Sequence, residues 1–390
     1  MTRFLSTRLA RGAALATTAL AATLATAATS SAQSRPTVVV TLENPQPSRG
    51  TLLTPVWVGL HDGTFDLYNR GEPASSPLGG NEIEALAEDG NNAPLAETFA
   101  REQPGAPQVP GLAGAFGPLA PGDTASVALE VDPFAQRYLS YGSMILPSND
   151  FFIANGNPEA VELFDGGGTF VGRDFVVTGD RALDAGTEVN DEIASNVAFL
   201  GQSAPDTGQP ENGVVSPAEG FAAPGTLTYP DGVLNHPIVG NGTFNTPRDG
   251  LLKVSLQFVD LAANLRLSAN LSAHNEVPPV VSDATGTAQA LLTRGQTLSL
   301  FAFARDLTGP VTVAHLHFAP KGANGPVVVD LTSRVRGTNL FANISASDLT
   351  DAFPGSFDDF VKELVAGNIY LNIHTGANPA GEIRGQLRLN

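Results

Sequence analysis

The sequence predicts an all-β chain built of two units, on three observations. Short apolar runs alternate with clusters of Gly, Pro, Asn and Asp, and 390 residues include 41 glycines and 29 prolines; this is the punctuation of strands joined by turns. Helical periodicity is confined to a few short stretches. The strand pattern restarts at Ala262, and the chain is long enough for two full-sized cores.

Taken in order, residues 1–32 read as an export signal. Arg3, Arg8 and Arg11 precede an apolar Ala/Leu/Thr run, and Ser30 to Ala32 fit cleavage beside small residues. The first unit, 33–262, opens with the strand "RPTVVVTLENP". A second strand carries the only tryptophan, Trp57, and ends at the turn His61-Asp62-Gly63. "NEIEALAEDGN" predicts a short helix capped by Asn81, and "APLAETFARE" another. "PGDTASVALEVDP", "RYLSYGSMILPSNDFFIANG" and "LLKVSLQFVD" are strand-like. Residues 201–232, rich in Pro, Gly and Ser, read as a long irregular loop. The second unit, 263–390, is a succession of strands interrupted by one helix, "SFDDFVKELVAGN". Ser356 caps that helix, Asp358 and Asp359 lie in its first turn, and Gly367 stops it. "IYLNIHTGANPAGEIRGQLRL" closes the chain as a hairpin.

Composition excludes several classes. The chain contains no cysteine, so there are no disulfides, thiolate metal sites or cysteine nucleophiles. Its formal charge is −18, and losing a leader with three arginines and no acid makes that −21. Such a surface repels nucleic acid and anionic lipid and attracts cations. No later run is apolar and long enough to be a transmembrane segment. Neither a nucleophile elbow, a phosphate-binding loop nor a His-Glu-x-x-His zinc motif occurs.

Acids cluster in the first unit. Asp184, Glu188, Asp191 and Glu192 follow one another closely, and Asp150 ends a strand-like run. Calcium takes several hard oxygens from separate segments, and such a cluster suits it. The alternative is that these aspartates bond their own turns and face water. "WVGLHDGTFDLY", "SMILPSNDFF" and "DAGTEVND" together resemble the spondin N-terminal domain of the F-spondin and mindin kind, which also occurs in bacterial exported proteins. The resemblance spans about Arg35 to Asp260. It implies a C2-like β-sandwich and a calcium site whose ligands match Glu130 in "LEVDP", Asp150 in "SND" and Asp184 in "DAGT". Phe151 stands where animal members carry tryptophan, and their cysteines are absent here.

The second unit concentrates histidine. Strand alternation places His315 and His317 on one face with Val311 and Val313. Two histidines at i and i+2 can chelate one metal ion from one side and need at least one further ligand. The closing hairpin offers His374, with Glu382 opposite it across the hairpin mouth. The alternative is a polar layer in which His315, His317, His374, Asn372, Glu382 and Arg384 satisfy one another. "NEVPPV", "AHLHFAPKGANGPVV" and "IYLNIHTGANPAGEIRGQL" resemble a CHRD domain, the module repeated in chordin, over about Leu265 to Leu389. That resemblance implies an immunoglobulin-like β-sandwich, so the whole chain is read as two β-sandwich domains in tandem. The His-x-His strand and the Gly-Glu-x-Arg-Gly-Gln ending are also similar to copper/zinc superoxide dismutases, but their bridging histidine and zinc aspartate have no counterpart here.

These readings predict an exported, non-enzymatic, calcium-binding interaction or adhesion protein, secreted or held in the periplasm or at the cell surface. Its expected partner is an extracellular protein or glycan surface. The rival expectation is a copper- or zinc-dependent metalloenzyme centred on the second-unit histidines.

Overall fold

The N-terminal half is a run of mostly short strands. In order they are β1 (Pro36–Glu43), β2 (Leu52–Leu53) and β3 (Val56–His61), then the helices α1 (Glu82–Asp89) and α2 (Ala93–Glu102). There follow β4 (Gln108–Leu112), β5 (Thr124–Glu130), β6 (Tyr138–Leu146), β7 (Phe151–Ala154), β8 (Phe175–Thr178), β9 (Leu183–Asp184), β10 (Ser216–Pro217) and β11 (Gly250–Asp260). The computed structural model describes residues 33–115, 117–191, 193–220 and 250–390. The export-signal reading of 1–32, Glu192 of the acidic loop and the end of the 201–232 loop fall outside those residues.

Two antiparallel sheets form this half, one ordered β5-β1-β11-β8 and the other β10-β9-β7-β6-β3-β4 with β2 beside β6. Val38, Val40 and Leu42 of β1 meet Val56, Val58 and Leu60 of β3 and Leu139 and Ile145 of β6 in one core. The far face of the second sheet is covered by α1 and α2, where Trp57 meets Phe65 and Phe99 at ring distances of 5.9 and 5.2 Å. Asn81 does stand at the start of α1, but its side chain makes no capping bond.

The C-terminal half contributes β12 (Asn264–Ser272), β13 (Thr285–Thr293), β14 (Thr297–Arg305), β15 (Val311–Phe318), β16 (Val327–Asp330), β17 (Val335–Arg336) and β18 (Asn339–Ile344). After α3 (Phe357–Ala366) come β19 (Ile369–Thr375), β20 (Ile383–Gln386) and β21 (Arg388–Leu389). They form one sheet ordered β16-β15-β19-β20-β12-β13-β14-β18-β17, with β21 beside β12. Alternation is clear in β12, where Leu267, Ala269 and Leu271 are buried and Arg266 and Asn270 exposed. The inward residues of β12–β14 and of β15 and β19 share a single core, so the sheet curls around it. Ser356 caps α3 by accepting from Asp359 N–H at 3.2 Å, and Gly367 ends it in the left-handed region at φ 80°. The chain is all-β in class, with three α-helices among the described residues.

The triple valine of β1 shows how the halves meet. Val38 and Val40 face the second sheet, while Val39, with Ala128 and Val259, joins the core of the C-terminal half. A sheet covered on both faces needs a continuous apolar run rather than alternation. Residues 34–390 accordingly form one compact unit. Polar contacts edge this junction. Arg35 pairs with Glu130 at 2.8 Å and with Asp358 at 3.1 Å, and Lys362 of α3 reaches Glu130 at 3.2 Å.

Candidate metal centres

The antiparallel pairing of β15 with β19 puts Val313 opposite His374, His315 opposite Asn372 and His317 opposite Tyr370. Side chains alternate, so Ala314, Leu316, Ile369, Leu371 and Ile373 enter the core, and the three histidines share the outer face. Turns cover that face, leaving His317 and His374 buried and His315 about one-fifth exposed. One ring nitrogen of each histidine lies within 4.8 Å of the other two.

The hydrogen bonds decide which nitrogens these are. His317 Nδ1 lies 3.0 Å from the Gly325 carbonyl, and His374 Nδ1 lies 3.0 Å from the Pro379 carbonyl. A carbonyl can only accept, so both Nδ1 atoms carry the proton and both Nε2 atoms present a lone pair. Those Nε2 atoms, and His315 Nδ1, are buried without a hydrogen-bond partner among the described residues. Gly325 permits the first contact, because a Cβ there would overlap the Phe318 carbonyl oxygen. Burial is the main force on all three rings and lowers their pKa values, that of His317 to about 4. They are therefore neutral at pH 7, the form that binds metal.

A supporting layer surrounds the rings. Tyr370 stacks on His317 at 4.9 Å and 7° between planes, and the Arg384 guanidinium lies over Tyr370 at 4.7 Å. Arg384 donates to the carbonyls of Asn275 (2.6 Å) and Ala323 (3.0 Å) and to Asn324 Oδ1 (2.9 Å). It thus ties two covering turns to the sheet. Beside it, Glu276 Oε1 and Asn372 Oδ1 are also buried without partners. Burial pushes the Glu276 carboxyl up to about 7, against the pull of Arg384 and Asn372. Five of the ten orphaned buried side-chain atoms among the described residues lie on this one face. At about 1–3 kcal/mol each, such atoms are costly unless a ligand completes them.

Glu382 is placed differently from expectation. Strand pairing ends at Ile373 and Ile383, so Glu382 lies outside the ladder. Its carboxylate turns to Thr375 Oγ1 (2.6 Å), Ser282 Oγ (2.7 Å) and the Thr308 hydroxyl (2.8 Å) and N–H (2.9 Å). Burial opposes its charge, but these donors outweigh burial and hold its pKa below the ordinary value. With every Glu382 lone-pair direction engaged, it serves as a buried latch for the hairpin mouth. The mutual polar layer is not what forms, since the rings bond to backbone carbonyls and Arg384 to the turns.

The acidic centre gathers on the loop after β9. Asp150 is fully buried; its Oδ2 accepts from Thr187 N–H (3.1 Å) and Glu188 N–H (3.2 Å), while Oδ1 has no partner. Burial, then the charge of Asp184, raises the Asp150 carboxyl to about 7. Asp184 accepts from Gly186 N–H and Asn190 Nδ2, both at 2.7 Å. Glu188 accepts from Asn149 Nδ2 and Gly208 N–H, and one carboxylate oxygen of each of Glu88, Glu188 and Asp206 lies within 4.8 Å of the others. No lysine or arginine among the described residues pairs with any of these five acids. Glu88 rises to about 8, chiefly through burial. Glu130 is not part of this group; it lies on the other sheet, bound to Arg35 and Lys362. Glu88 and Asp206 are additions that no local spacing announces, since one comes from α1 and the other from a distant turn.

Among family models, the CHRD domain matches residues 267–387, a stretch that holds all three histidines and about a third of the chain. No curated protein matches the chain, and no solved structure does.

Proposed function

We propose that this chain is an exported metal-binding protein whose CHRD region holds one zinc or copper ion on His315 Nδ1, His317 Nε2 and His374 Nε2. One observation carries the reading: three imidazoles converge, each with a buried nitrogen that has no hydrogen-bond partner among the described residues, and in His317 and His374 that nitrogen is the unprotonated one. Neutral imidazole suits zinc and copper, and three such ligands leave a fourth position for water or an outside group. The carbonyls of Gly325 and Pro379 hold two rings in the required tautomer, as outer-shell partners of metal-bound histidine do. The exposed edge of His315 supplies the entry path. The test is metal content and calorimetry on full-length protein purified without an affinity tag. One equivalent of zinc or copper is expected; protein that retains neither after dialysis against a weak chelator overturns the reading.

A second reading rests on Asp150 Oδ1, a fully buried carboxylate oxygen with no partner beside Asp184 and Glu188. It assigns calcium to Asp150, Asp184 and Glu188 and leaves Glu130 to its ion pairs. Under it, residues 33–262 are a spondin-type sandwich of the bacterial exported kind and 263–390 a CHRD sandwich. The pair acts in extracellular adhesion, on a protein or glycan partner. No helix among the described residues is long and apolar enough to cross a membrane. EDTA should lower the melting temperature of the full chain and calcium restore it, with a stabilisation of about 2.7 kcal/mol at ~100-fold over Kd. Identical melting with and without calcium overturns it.

A further inference from the structure

A cleft of about 750 Å³ opens in the N-terminal half, between β8 and the turns that follow β3 and β7. No residue of either metal centre lines it. Its volume is that of sites that take small organic molecules. The floor is aromatic: Tyr68 and Tyr141 are nearly buried, and Phe175 tilts against Tyr141 at a ring distance of 5.8 Å. Tyr141 is 7% exposed, and burial raises the pKa of its hydroxyl, which keeps the proton it would donate to a ligand.

The rim is basic. Arg70, Arg173 and Arg181 line the cleft and are exposed, and none forms an ion pair among the described residues. Glu162 and Asp174 line it as well: Glu162 is held by Arg137 at 2.8 Å, while the exposed Asp174, which accepts from Leu256 N–H at 2.9 Å, sets one carboxylate against the three arginines. In a chain with 39 acids against 21 lysines and arginines, three arginines without an ion pair among the described residues, Arg70 of which also donates to the Tyr68 hydroxyl, give this aromatic cleft a cationic rim. Guanidinium forks match carboxylates, and tyrosine and phenylalanine rings offer flat apolar faces with a polar tip.

We propose that this cleft binds an acidic saccharide, a short uronate-type oligosaccharide. Each uronate ring carries an apolar C–H face, hydroxyls and a carboxylate in one rigid unit. The C–H face lies on Tyr141 and Phe175, a hydroxyl meets the Tyr141 phenol, and the carboxylates meet the arginine rim. An acidic peptide carries its charges on flexible side chains and leaves the aromatic floor without a stacking partner. This gives a chemical class to the glycan partner of the second reading and rests on that reading only for where the protein meets it; binding itself needs neither metal.

The experiment is calorimetry at low salt on the full chain, with and without EDTA, against a galacturonate trimer, a neutral galactose trimer and a penta-aspartate peptide. The galacturonate trimer should bind in both conditions and the neutral trimer should not. Arg173→Ala and Arg181→Ala should each weaken binding about tenfold, the effect of losing one charge-assisted hydrogen bond, with melting unchanged. Tyr141→Phe should weaken it less. Loss of binding in EDTA alone would tie the site to calcium and overturn its independence. No binding of the galacturonate trimer at millimolar concentration overturns the proposal. So does penta-aspartate binding as tightly, which would make this a general anion site, or arginine variants that bind like wild type.

Discussion

The acidic centre around Asp150 and the histidine centre around His317 are opposite solutions to one problem. Each buries polar atoms that no group among the described residues completes. At the acidic centre the unmet atom is an oxygen that becomes charged, among like charges and without a lysine or arginine partner among the described residues, so the metal-free protein resists ionising it. At the histidine centre the unmet atoms are neutral lone pairs, and burial resists charging them. The first centre offers hard oxygens and suits calcium; the second offers imidazole and suits zinc or copper. The difference teaches that an orphaned buried atom names the class of its missing partner through the charge it can bear.

The largest expected effect separates the two. His317→Ala should weaken zinc or copper binding by more than ~100-fold, beyond what loss of an outer-shell partner costs, while the calcium-induced rise in melting temperature stays intact. Asp150→Asn should do the reverse. It should abolish the calcium response and yet raise the stability of the metal-free protein at pH 8, because the repelled charge is gone. A calcium response that survives Asp150→Asn breaks the comparison on the acidic side.

Next in size is the pH dependence of the metal-free protein. The His317 pKa is lowered from 6.5 to about 4. Between those values the unfolded chain binds more protons, so its contribution is complete above pH 6.5 and is lost as pH falls toward 4. Asp150 is raised from 3.8 to about 7. There the folded chain binds more protons, so stability is lost as pH rises through that interval. The advantage of Asp150→Asn over wild type should therefore grow from pH 4 to pH 8 in denaturant titrations. A flat difference would remove charge as its cause.

Two smaller effects sharpen the boundaries of each centre. Glu382→Gln should cost about 1–3 kcal/mol by disturbing a buried carboxylate with four donors, and leave metal affinity unchanged. A loss of metal on that change would return Glu382 to the ligand set. Glu130→Gln should cost only about 0.2–1 kcal/mol, as half-exposed ion pairs do, with the calcium response untouched.

Much of this was legible locally. The period-2 pattern of β15 puts His315 and His317 on one face, to which the pairing with β19 adds His374, and the turn residues mark most strands and the cap and stop of α3. The ligand sets were less legible. Glu382 was expected beside His374 by alternation, but alternation binds only residues inside the ladder, and the pairing stops at Ile383. Glu130 was matched to Asp150 by its place along the chain, yet a strand position does not say which sheet the strand joins. Glu188 was visible within its acidic run, whereas Glu88 joined it only when α1 packed over the second sheet.

By itself, then, the sequence determined what short-range geometry can carry: an all-β chain, the strand-by-strand alternation, the two ends of α3, the acid-rich loop and the shared face of His315 and His317. These follow from the two-residue repeat of a strand and the backbone preferences of Gly, Pro, Ser and Asn, which act over a few residues. Tertiary structure alone decided which nitrogen of each ring is free, that Glu382 is a latch and Glu130 an ion-pair partner, and that three arginines ring an aromatic cleft. Each of those outcomes depends on which distant carbonyl, donor or charge arrives within about 3 Å, the reach of a hydrogen bond, and no local pattern encodes that arrival.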